Sequence, residues 1–143
     1  LKIQDVDGRY TVLLYEKDLG AWGKEIVCSV REISLDGSWT SNLSTHSRGD
    51  GSKANNPVTI FFVEISDHYL TCISINDPML RNNIHQITMA CSDARHTEMK
   101  DFQVTSSEPG IIFMHPTLKC SSAIFYDKDQ QEILNMPIEP FGR

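Results

Sequence analysis

The residues with chemistry to offer are four cysteines, five histidines, two pairs of closely spaced aspartates and an Arg-Gly-Asp triplet. Cys28, Cys72, Cys91 and Cys120 show no C-x-x-C spacing and have no histidine at a companion distance. That argues against zinc and for two disulfides formed in an oxidising compartment, with four reduced core thiols as the competing reading. His46, His68, His85, His96 and His115 are dispersed, as surface or capping histidines are, and no G-x-S-x-G, H-E-x-x-H or phosphate-cradling glycine loop accompanies them. Asp5-Val6-Asp7-Gly8 and Asp127-Lys128-Asp129 each pair two carboxylates. Neither continues into the run of oxygen ligands that a calcium loop needs, so both read as turns. No constellation nominates catalytic residues, a metal or a cofactor, and the expected work of the chain is binding.

Two surface motifs add to this. Asn42-Leu43-Ser44 fits the N-glycosylation pattern and marks a candidate glycoprotein. Arg48-Gly49-Asp50 falls in a stretch, 44–57, of Ser, Gly, Asp, Asn and Lys with almost nothing to bury, which reads as a long exposed loop. An exposed Arg-Gly-Asp offers a guanidinium and a carboxylate to an integrin-type receptor, against the plainer reading that three common loop residues met by chance.

These residues must be positioned by β-structure. The stretch Val58-Thr59-Ile60-Phe61-Phe62-Val63, a short polar break, and Tyr69-Leu70-Thr71-Cys72-Ile73-Ser74-Ile75 reads as a β-hairpin whose first strand is apolar on both faces, so it must be covered on both sides. Upstream, a strand pattern around 9–15, a partly alternating set at 26–33 and an Asp36-Gly37 turn leading to Trp39 make a meander, with Trp22 and Trp39 as structural plugs. Downstream, Asn76-Asp77-Pro78 opens a connection and 84–91 returns as a strand. Ser92 or Asp93 can N-cap a short amphipathic helix near 93–103, with Met99 and Phe102 sharing a face. Further strands are expected at 111–114 and 122–126, and 127–143 reads as a peripheral tail.

The 143 residues suit a single domain. With 19 acidic against 13 basic residues, a net charge of −6 and no basic cluster, a phosphate-tracking surface for nucleic acid is not expected. No apolar run approaches the roughly 20 residues of a membrane-spanning helix. The chain opens at Leu1 without an initiating Met or a basic-then-apolar leader, as either a mature protein or a trimmed chain would.

Several segments resemble secreted lipocalins. The run Gly8-Arg9-Tyr10-Thr11-Val12-Leu13-Leu14 looks like the family's first strand, with Tyr10 in place of its Trp, and 27–39 is similar to the second strand and hairpin. Ser66-Asp67-His68-Tyr69 resembles a Thr-Asp-Tyr turn, Arg95 sits near the family's third-motif arginine, and helix, short strand and Cys120 follow in the family's order. The resemblance implies an antiparallel meander barrel, about two strands short of the usual eight, in a secreted transport protein that carries a small hydrophobic molecule. Strand parity nominates Val12, Leu14, Val30, Ile60, Phe62, Leu70 and Ile87 to line the calyx, against a solid core made by the same side chains.

The alternative is a secreted immunoglobulin-like sandwich that binds a protein receptor through its loops or sheet surface. Cys28, Trp39 and Cys72 follow the order of a Cys-Trp-Cys core. A Cys28–Cys72 bridge would support the sandwich, and a Cys72–Cys91 bridge the meander barrel.

Overall fold

The computed structural model describes residues 2–6, 10–18, 20–22, 24–33, 39–48, 57–65, 68–105, 108 and 110–138. In chain order the strands are β1 (Lys2–Val6), β2 (Tyr10–Asp18), β3 (Lys24–Ile33), β4 (Trp39–Arg48), β5 (Val58–Ile65) and β6 (His68–Ile75). A short helix α1 (Pro78–Asn83) precedes β7 (Gln86–Ser92), β8 (Thr97–Gln103), β9 (Gly110–His115), β10 (Lys119–Tyr126) and β11 (Glu132–Pro137). All the pairings are antiparallel. The fold is mainly β, as the sequence predicts.

The strands form three sheets: a first in the order β1-β2-β3-β4, a middle one of β5-β6-β9, and a third in the order β11-β10-β7-β8. Among the described strands these ladders end at edges and do not close into a barrel. The β1 edge of the first sheet and the β9 edge of the middle sheet do come together, with Cα atoms within 8 Å.

The middle sheet explains the doubly apolar pattern of the central hairpin, because its two faces feed two different cores. Phe61, Leu70, Cys72, Ile112 and Met114 join Tyr10, Val12, Leu14, Ile26, Cys28 and Val30 of the first sheet. Their sequence neighbours Val58, Ile73, Ile75 and Ile111 join Ile87, Met89, Cys91, Cys120, Ala123 and Phe125 of the third sheet. Successive strand residues point to opposite faces, so a strand apolar at every position serves both layers. Gly110 is required where β9 meets β6, since a Cβ there would overlap the backbone carbonyl of Ile73.

The crossing from the middle to the third sheet is built from polar groups. Buried Asn76 donates to Thr59 Oγ1 at 2.8 Å and accepts from Ser74 Oγ at 3.0 Å. Asp77 then caps α1, its side chain accepting the Met79 N–H at 2.9 Å, and Pro78 fills the first turn, where a missing N–H costs nothing. Arg81 fastens the helix: Nε and Nη2 donate to the Ile75 carbonyl at 3.1 and 2.8 Å, and Nη1 meets Glu16 Oε2 of β2 at 2.9 Å.

Four readings of the sequence need correction. Residues 97–103, read as helix, are strand β8. Pairing with β7 wins over local helix propensity, and its exposure alternates with period two, leaving Met99 exposed while Phe102 packs edge-on against Phe113 at 5.5 Å. The short helix lies earlier, at α1. Residues 44–48, read as the start of a loop, belong to β4, where pairing with β3 holds a Ser/Thr-rich segment extended; residues 49–56 lie outside the described residues. A Cys72–Cys91 bridge is ruled out by the layering, because Cys72 faces the first core and Cys91 the second. The bond formed is Cys91–Cys120, between paired strands β7 and β10. The C-terminal segment, read as a tail, supplies edge strand β11, with Ile133, Leu134 and Met136 against the second core.

Candidate functional site

The disulfide stands at the base of two turns that leave the third sheet side by side. Ser92 and Asp93 follow Cys91 into the β7–β8 turn, and Lys119, paired with Ser92, precedes Cys120 at the end of the β9–β10 turn. Between these turns and the start of β6 lies an open cleft of about 620 Å³ lined by Tyr69, Asp93, Ala94, Arg95, Pro116 and Thr117. A smaller recess of about 320 Å³ adjoins it and adds Ser92 and Lys119.

Each wall is held by local hydrogen bonds. Asp93 Oδ1 accepts the backbone N–H groups of Arg95 at 2.8 Å and His96 at 3.0 Å, and the Asp93 N–H donates to the His96 carbonyl at 3.0 Å. These are the bonds that an N-cap would make, used here to tighten a hairpin turn. They hold the Asp93 carboxyl below its usual range, the Arg95 N–H contributing most and the His96 N–H next. On the facing turn His115 Nδ1 accepts the N–H groups of Thr117 and Leu118, each at 3.0 Å, and Thr117 Oγ1 reaches Asp93 Oδ2 at 3.4 Å. With Nδ1 accepting, a neutral His115 ring carries its proton on Nε2.

The floor is aromatic. Tyr69 stacks on Phe62 with centroids 6.3 Å apart, and Lys119 Nζ stands 4.9 Å from the Tyr69 ring centroid. Arg95 is exposed at the rim and makes no ion pair among the described residues, whereas neighbouring Glu98 is taken up by Lys100 at 2.6 Å. Asp93 stays ionised, its carboxylate held by the backbone N–H groups and Thr117, so the cleft and recess present two cations against this one anion, beside an aromatic face. Such a set accepts an anionic group with a flat or apolar neighbour.

The predicted lining residues do not surround this cleft. Val12, Leu14, Val30 and Leu70 lie together in the first core, Ile60 and Ile87 in or against the second, and buried Phe62 stacks on Tyr69 without lining the cleft. Cys28 and Cys72 are buried thiols. Asn42 sits in edge strand β4 at the irregularity where pairing with β3 passes from Val30 to Arg31. Arg48 ends β4, and Gly49 and Asp50 lie outside the described residues. Sequence reasoning missed Tyr69, Thr117 and Lys119 as a site. The usable signal was adjacency to two cysteines, since a staple between strands also fixes the turns beside it. Among the described residues no cluster of His, Cys, Asp and Glu could hold a metal ion, and no helix is long and apolar enough to cross a membrane.

Fold and cleft together define a class: a three-layered antiparallel β protein with a disulfide-anchored, aromatic and cationic cleft. Comparison with family models, with curated proteins and with solved structures finds no match.

Proposed function

We propose that this chain is an exported, non-catalytic binding protein that takes an acidic, apolar-flanked segment of a protein partner into the cleft between the 92–96 and 115–119 turns. The observation that carries this reading is the placing of Arg95 on the cleft and of Lys119 on the adjoining recess, both shared with Tyr69, between turns joined by the Cys91–Cys120 bond. Arg95 and Lys119 outnumber the Asp93 carboxylate here, so in a chain of net charge −6 the local balance is positive and favours a carboxylate ligand. Arg95 and Lys119 would donate to that carboxylate while its apolar neighbour lies on Tyr69. A disulfide is stable in an oxidising compartment, which supports export, and a glycosylation sequon on an edge strand agrees with it.

The test is an amide chemical-shift titration of the labelled chain with N-acetyl-Asp-Phe-amide, using the Asn-Phe analogue as control. Shifts are expected at Tyr69, Arg95, Thr117 and Lys119, with binding weakened about tenfold when Asn replaces Asp. Unmoved resonances at those positions, or equal binding by R95E/K119E, would remove this reading.

A second reading, the lipocalin-like carrier of a small hydrophobic molecule, draws on the approach of β1 to β9 and on Val12, Leu14, Val30 and Leu70 meeting in one cluster. Cargo there would have to part side chains that are 0% exposed. Adding laurate would then move the methyl resonances of these four residues and leave the cleft amides in place.

A further inference from the structure

We propose that Cys28 and Cys72 are the site of a second, buried disulfide that fastens the first sheet to the middle one. Strand geometry brings the two together. Cys28 lies in β3 between partners Leu14 and Thr45, and Cys72 in β6 between Phe61 and Ile112. The two strands cross with Cα atoms within 8 Å, and both side chains enter the same core, at 3% and 1% exposure. There the Cys28 side chain is within hydrogen-bonding reach of the Cys72 thiol. The other core of the same chain already holds a bridge, so a chain that meets an oxidant for Cys91 and Cys120 meets it for this pair as well.

The chemistry needs a disulfide donor, such as oxidised glutathione or a thiol–disulfide oxidoreductase of the folding compartment. One thiolate attacks a donor sulfur and expels the first donor thiolate. The second cysteine, as thiolate, attacks the mixed disulfide and expels the other. The chain loses two protons and two electrons, and the donor leaves as two thiols. Burial holds the Cys72 thiol in its protonated, unreactive form once the sheets have closed, so the bridge is made while they dock. It would close a long loop across two layers, whereas Cys91–Cys120 joins strands that are already hydrogen-bonded to each other.

The experiment is refolding of the full reduced chain in a glutathione redox buffer, acid quench, alkylation under denaturing conditions and peptide mapping, with C28A/C72A in parallel. The expected result is a Cys28–Cys72 linked peptide in the molecules that also carry Cys91–Cys120, and a thermal midpoint about 10 °C above that of the double variant. Alkylated Cys28 and Cys72, linkage of either to Cys91 or Cys120, or a midpoint no higher than that of C28A/C72A would overturn the proposal.

Discussion

The two cores that share the middle sheet are closed by different means. The second core is fastened covalently by Cys91–Cys120, capped at one end by α1 and its Arg81 clamp, and edged by β11. Among the described residues the first core has no covalent bond of its own, with two thiols in mutual contact where the other core has a bond. The cleft lies on the covalently fastened side. A site built from turns needs their ends fixed, and among the described residues the covalent bond between these two turns is the disulfide at their base.

The harshest way to break the comparison is to damage what both cores have in common. Gly110→Ala places a Cβ against the Ile73 carbonyl, where only backbone could yield, so β9 would leave β6 and expose both cores. A loss of more than about 4 kcal/mol is expected, read as a collapsed urea midpoint together with exchange of the amides in all three sheets. Removal of the disulfide should act on one side only. For C91A/C120A, a loop of 29 residues gives a loss of about 3–4 kcal/mol. Faster exchange is expected at 92–96 and 115–119, weaker binding of the dipeptide probe should follow, and exchange in β2 and β3 should be unchanged.

A finer test uses two neighbours in one strand. Leu70 and Ile73 are both 0% exposed and belong to opposite cores. Truncation of either to Ala should cost about 3 kcal/mol. L70A should loosen β2 and β3, and I73A should loosen β7 and β10. If both variants loosened the same strands, the two cores would be one cooperative unit and the contrast between them would vanish.

The double-sided pattern at Val58–Val63 and Tyr69–Ile75 was legible because a strand with no polar face needs two covers wherever those covers come from. Which segments supply them was not, since β6 finds β9 some forty residues on and β7 finds β10, and period-two patterns carry no partner's address. β8 misled because Asp93 makes cap-like bonds in a turn as readily as at a helix start, and Met99 and Phe102 fit a helical face by spacing alone. α1 was missed for the converse reason: Asn76-Asp77-Pro78 reads as a turn, although Asp followed by Pro also opens helices. Four cysteines allow three connectivities, and only the layering separates them. The cleft was the least legible part, because Tyr69, Arg95 and Lys119 come from three separated segments and meet only through that pairing.

The smallest effects are those of pH, and they tell the two sides apart by sign. On the third sheet, backbone N–H groups hold Asp93 below its usual range, and the Lys100 hydrogen bond does the same for Glu98. A carboxyl depressed by folding adds stability that is present above its unfolded value, about 4, and is lost as pH falls through the folded one. In the first core, burial and then the neighbouring Cys28 push the Cys72 thiol up. Its contribution is complete below the unfolded value, about 8.5, and is lost as pH rises through the folded one. Urea midpoints measured from about pH 2 to 10 should therefore fall at both ends. D93N keeps an oxygen acceptor but no charge, and should make the acid limb shallower, leaving the Glu98 part and the alkaline limb in place. Cys72→Ala, or oxidation of the Cys28 and Cys72 pair, removes the titrating thiol and should flatten the alkaline limb alone. An acid limb unmoved by D93N would mean that the 92–96 turn is held by the disulfide rather than by the Asp93 charge, and the two sides would then differ only in their covalent bond.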